Sequence, residues 1–75
     1  MDEPMDLTGW IVRVYHSAGN DQRTTATATE ALTFLDEQEA AGLMTSTIYR
    51  CRDGQMLQVG RDYLVAAAGI ERDLG

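Results

Sequence analysis

The chain has one cysteine (Cys51), one histidine (His16), one proline and no lysine. Each shortage removes a class of chemistry. A single cysteine cannot close a disulfide within the chain. One cysteine and one histidine cannot supply the four ligands of a structural zinc site. Without lysine there is no Schiff-base nucleophile and no P-loop lysine to hold a phosphate. The glycines are scattered and form no G-x-G-x-x-G string, and no acidic loop has the EF-hand pattern. No cofactor or metal is therefore expected. No apolar run approaches the roughly 20 residues of a membrane-spanning helix. The opening Met1–Asp6 is acidic and lacks the charged-then-apolar build of a secretion signal. The expected location is the cytoplasm, with no membrane partner.

What is present is globular in character: 75 residues, 44% hydrophobic and 24% charged, enough for one domain. A domain this small buries only about 60% of its unfolded surface. With no disulfide or zinc to staple it, a well-packed core or a homodimer must supply the stability. The net charge is −6, and it is unevenly spread. Asp2, Glu3 and Asp6 carry no nearby cation, and neither do Glu30, Asp36, Glu37 and Glu39, whereas the last third balances Arg against Asp and Glu. There is no basic stripe of the kind nucleic acid demands. Such a field repels phosphates and attracts basic surfaces, so the expected partner is a protein with a basic surface, not nucleic acid.

Residues 1–9, with Pro4, Gly9 and three carboxylates, read as a flexible acidic tail before a domain at 10–75. Trp10–His16 is β-branched and aromatic and predicts a strand, with Trp10, Val12, Val14 and His16 on the core face and Ile11, Arg13 and Tyr15 on the other. Ser17–Asp21 has turn chemistry, and the Thr-rich Gln22–Thr27 reads as a returning edge strand. Thr27-Ala-Thr-Glu30 is a capping box that opens a helix to about Ala41, buried through Ala28, Ala31, Leu32, Phe34 and Leu35 and stopped by Gly42. Met44–Arg52 predicts a second strand. Asp53-Gly54 predicts a type I′ turn, and Gln55–Val59 the return, pairing Arg52 with Gln55 and Ile48 with Val59. Residues 61–68 read as a helix on their alanine run, with Asp62 as N-cap, although Tyr63-Leu-Val65 could form a short strand; residues 69–75 read as a tail. The expected architecture is a two-layer α+β domain: a four-stranded antiparallel sheet, one helix between two hairpins (ββαββ) and a short C-terminal element.

No catalytic residues emerge. His16 and Ser17 are adjacent on a strand end and point apart, and one histidine cannot build a nucleophile–base–orienter set. Cys51 reads as a small buried hydrophobe opposite Met56. Arg50 and Arg52 point to the other sheet face and cannot activate it. The helix is more informative. Asp36, Glu37 and Glu39 crowd its C-terminal half, where the macrodipole costs each anion about 0.3–1 kcal/mol. No cation stands three or four residues away to relieve them. Glu30, Asp36, Glu37 and Glu39 are thus the candidate partner-binding set, against the plainer alternative of a solubilising surface. A second candidate surface is Ile11, Arg13, Tyr15, Tyr49 and Met56, of residue types enriched at interfaces. Its plainer alternative is cover by the C-terminal segment through Tyr63 and Leu64.

The element order from Trp10 to Val59, with the Asp53-Gly54 turn and the acidic balance, resembles several small phage-encoded anti-CRISPR inhibitors. The resemblance implies a stoichiometric inhibitor that occupies a basic nucleic-acid-binding groove of an effector complex. The leading expectation is accordingly a protein-binding inhibitor or adaptor. The alternative is a homodimeric structural or accessory module of phage or bacterial origin, also without catalytic activity, that self-associates through the second surface.

Overall fold

The computed structural model describes residues 9–74, so all but Gly9 of the expected tail at residues 1–9 lies outside the described residues. β1 (Gly9–His16) begins one residue before Trp10, and the reason is steric. Gly9 has φ +132° and pairs with Cys51. A Cβ there would stand 2.3 Å from the carbonyl oxygen of Thr25, so only glycine lets the strand start this close to its neighbour. Gly9 belongs to the sheet, not to a tail.

β1 turns at Ser17 and Ala18 into β2 (Gly19–Thr25), with His16 opposite Gly19 and Trp10 opposite Thr25. The loop is therefore shorter than the expected Ser17–Asp21 turn. Gly19 takes φ +148°, which lets the strand start immediately after two residues of negative φ. α1 (Ala28–Ala40) follows. It ends in a Schellman motif: Gly42, at φ +89°, donates its N–H to the Glu39 carbonyl, and Leu43 donates to that of Gln38. β3 (Thr45–Arg52) and β4 (Gln55–Val59) form the expected hairpin. Asp53 and Gly54, at φ +53° and +77°, make the two-residue turn, and the pairing runs from Arg52↔Gln55 to Ile48↔Val59 as the sequence predicts.

The strands form one antiparallel sheet in the order β2-β1-β3-β4. α2 (Arg61–Leu74) is the main departure. It is a helix of 14 residues that takes in most of the expected tail, and it starts one residue before Asp62, with Leu64 N–H bonded to the Gly60 carbonyl. What holds it is tertiary. Leu64 and Ala68 are completely or almost completely buried in the same core as Trp10, Val12, Val14, Ala28, Phe34, Leu35 and Ile48. Tyr63 lies 6.0 Å, centroid to centroid, from Trp10. Both helices therefore cover the Trp10/Val12/Val14 face, and the alternative in which the C-terminal segment covers the opposite face through Tyr63 and Leu64 does not hold. The fold is a two-layer α+β domain with two helices on one face and, among the described residues, none on the other.

Candidate functional site

On β1, side chains alternate, so Ile11, Arg13 and Tyr15 point away from the helices. The register places Gln22 of β2 and Tyr49 of β3 beside them, followed by Cys51, Met56 and Gln58 toward the β4 edge. Arg13 donates from Nε and Nη2 to Gln22 Oε1 at 3.1 and 3.0 Å, and its guanidinium lies 6.0 Å from the centroid of the Tyr49 ring. Arg13 is the only charged side chain on this face among the described residues, and no carboxylate is there. The five residues of the second candidate surface thus do share one face. They are not equally available. Met56 is 48% exposed and Arg13, Tyr15 and Tyr49 are half-buried, but Ile11 is only 6% exposed. Ile11 therefore offers almost no contact area. Cys51 is also buried, and burial pushes its thiol pKa up, which disfavours the thiolate.

The helix side carries the acidity. α1 and α2 together hold seven carboxylates against two guanidiniums, Arg61 and Arg72. The four candidate carboxylates of α1 do not form one uncompensated ridge, however. Arg61 Nη2 sits 3.0 Å from Asp36 Oδ1 and 3.0 Å from Glu39 Oε1, with all three side chains about half exposed. The hydrogen bond to and charge of Glu39, with those of Asp36, hold the Arg61 pKa above its ordinary value. Asp36 and Glu39 are thereby relieved of the macrodipole penalty by a cation that is distant in sequence. Glu30 and Glu37 remain. They line a shallow cleft together with Arg23, whose guanidinium lies 4.7 Å from the centroid of the Phe34 ring. The expected ridge therefore reduces to Glu30 and Glu37, with Arg23 for company.

Two features escaped the sequence reading. Glu71 of α2 caps the start of α1: it accepts from the N–H of Ala28 (2.7 Å) and of Thr29 (2.9 Å), and from the Thr29 hydroxyl (2.8 Å). Desolvation pushes the Glu71 carboxyl up, but these donors and the Arg50 charge outweigh it and hold the pKa below the ordinary value. The expected capping box is half present. Thr27 Oγ1 accepts from Glu30 N–H at 3.2 Å, but the Glu30 carboxylate accepts from the Thr27 hydroxyl and does not serve the Thr27 N–H. The second feature is Arg50, which lies over the Trp10 ring (5.2 Å) and the Tyr63 ring (5.8 Å) and donates to the Tyr63 hydroxyl at 3.0 Å. It fastens α2 to β3 beside a cleft of about 400 Å³ whose lining includes Arg52, Ile70 and Glu71. Neither feature follows a local spacing rule, so no signal in the sequence could have located them.

His16 donates from Nε2 to Gln38 Oε1 at 2.8 Å, a strand-to-helix tie that occupies the ring nitrogen nearest the helix. Among the described residues no group of three or more His, Cys, Asp or Glu side chains is placed to hold a metal ion. Among the described residues no helix is long and apolar enough to cross a membrane. No family model, curated protein or solved structure matches the chain.

Proposed function

We propose that the chain is a protein-binding module, an inhibitor or adaptor, that meets its partner with the sheet face opposite the helices. One observation carries this reading: in a chain of net charge −6, that face holds tyrosine, methionine and arginine and no carboxylate among the described residues. Charge has been sorted between the two layers. Tyr15, Tyr49, Arg13 and Met56 are the residue types that supply rigid, amphipathic contact area at interfaces. The burial of Cys51 and the engagement of His16 with Gln38 argue for structural roles of these two residues over catalytic ones. The partner suited to Arg13 and two tyrosines is a protein surface with an apolar centre and a carboxylate or carbonyl at its rim.

A second reading is favoured by the excess of carboxylates on α1 and α2. Here Glu30 and Glu37 would face a basic surface, such as a nucleic-acid-binding groove of the kind anti-CRISPR inhibitors occupy, with electrostatic steering of the encounter. One experiment separates the two: capture of partners from host lysate at low and high salt by the wild type, Tyr15→Asp/Tyr49→Asp and Glu30→Arg/Glu37→Arg. Loss of capture in the tyrosine variant, with little salt dependence, supports the sheet face. Loss in the charge-reversal variant, with capture by the wild type falling as salt rises, supports the acidic layer and overturns the first reading.

A further inference from the structure

The two edges of the sheet are protected very differently. β2, at one edge, carries Asp21 and Arg23 among polar neighbours. β4, at the other, is Gln-Met-Leu-Gln-Val, with no charge and no proline. Charges, prolines and bulges are the usual devices that keep a sheet edge from pairing with another chain, and β4 has neither charge nor proline. It is also apolar on both faces: Leu57 is 64% exposed on the helix side and Met56 48% exposed on the other.

The register shows which backbone groups are free. In a two-residue hairpin the flanking pair, Arg52↔Gln55, exchanges both hydrogen bonds, and alternation then turns Gln55, Leu57 and Val59 toward β3. The N–H and C=O groups of Met56 and Gln58 point outward from the sheet. We propose that β4 pairs antiparallel with β4 of a second copy, about a two-fold axis at Leu57, to give a continuous eight-stranded sheet.

This strand suits itself as a partner. With Leu57 opposite Leu57, Met56 stands opposite Gln58 and Gln58 opposite Met56, so the outward-facing groups of each strand meet those of the other. An isologous contact requires this self-matching. Leu57 then occupies a non-hydrogen-bonded pair, where cross-strand side chains are closest. Carried one step past the strand ends, the same two-fold sets Gly54 of each copy toward Gly60 of the other, two residues without side chains. In this arrangement the helix layers of the two copies lie on the same side of the joined sheet, and the opposite faces, with no carboxylate among the described residues, form one larger surface. The pairing stands on the β4 edge alone and does not depend on which face meets a protein partner.

The test is sedimentation equilibrium of the full chain up to about 1 mM, with Leu57→Lys and Tyr15→Asp beside the wild type. A wild-type dimer weakened at least about tenfold by Leu57→Lys, and unchanged by Tyr15→Asp, is the expected result. A readout of register accompanies it: under a mild oxidant Leu57→Cys should give a cross-linked dimer and Tyr15→Cys should not, while Cys51 is buried and stays reduced. Circular dichroism confirms that each variant is folded, which the exposure of Leu57 favours. A monomer at every concentration, a dimer indifferent to Leu57→Lys, or no cross-link through Leu57→Cys overturns the proposal.

Discussion

At the scale of single residues, two positions hold more of the fold than their size suggests. Gly9 starts the sheet in a backbone conformation that side-chain-bearing residues rarely adopt, against the Thr25 carbonyl. Gly9→Ala should lower stability by about 1–3 kcal/mol from backbone strain alone, read as a fall in the urea midpoint. A midpoint unmoved by the substitution would show that the strand start can shift. Glu71 satisfies the first two N–H groups of α1 across a long sequence separation, and Glu71→Gln should cost about 0.5–2 kcal/mol, as loss of a good cap does. The sign of its pH dependence follows from the depressed pKa. The contribution is complete above the ordinary carboxylate value, near 4.5, and is lost as pH falls through the lower folded value. The gap in stability between wild type and Glu71→Gln should therefore close toward acid, and a gap constant from neutral to acid pH would refute the cap. Cys51 is a reporter of the same equilibrium. Buried, and with its thiol pKa raised, it should react with a thiol reagent only at the rate at which the sheet opens.

At the scale of elements, α2 decides the architecture. Leu64 is fully buried, and Leu64→Ala should cost about 2–5 kcal/mol and release the Trp10–Tyr63 contact. Unchanged Trp10 fluorescence in that variant would mean that α2 is held by something other than its core stripe. The long reach of this helix explains why the acidic ridge read from α1 alone was incomplete. Asp36 and Glu39 have no cation within a helical turn, yet Arg61 meets both. Arg61→Ala should leave the thermal midpoint almost unchanged, because exposed pairs contribute little. It should also make binding to any basic partner more sensitive to salt. β4 is the complementary case: its register and turn were legible residue by residue, because a two-residue Asp-Gly loop fixes pairing locally.

At the scale of the whole molecule, the organising feature is the sorting of charge between layers. Two helices on one side of a four-stranded sheet leave the other face without a helix among the described residues, and that face carries Arg13, Tyr15, Tyr49 and Met56, residue types enriched at interfaces. Among the described residues, the layer arrangement also turns a chain with no basic stripe into one with two unlike sides, one acidic and helical, the other tyrosine-bearing and free of carboxylates. Edge pairing through β4 would double both sides at once. A partner that binds with two-fold symmetry should then bind Leu57→Lys more weakly than wild type without touching Leu57, a loss measurable by titration at matched concentrations.

The residues themselves settled whatever depends on neighbours along the chain. The alternation of Trp10–His16, the Thr27 cap, the Gly42 stop and the Asp53-Gly54 turn are each fixed by backbone preference or by periodicity over a few residues. So were the absences of disulfide, lysine chemistry and long apolar spans. Tertiary packing alone decided which side of the sheet α2 would cover, and with it the fate of the candidate sites. Burial of Leu64 and Ala68 drew the C-terminal segment onto the Trp10 face, and that placement brought Arg61 to Asp36 and Glu39, Glu71 to Ala28, and left Tyr15 and Tyr49 uncovered by either helix. Contacts between residues more than 20 positions apart are set by which apolar surfaces can be removed from water together, and no local pattern encodes that choice.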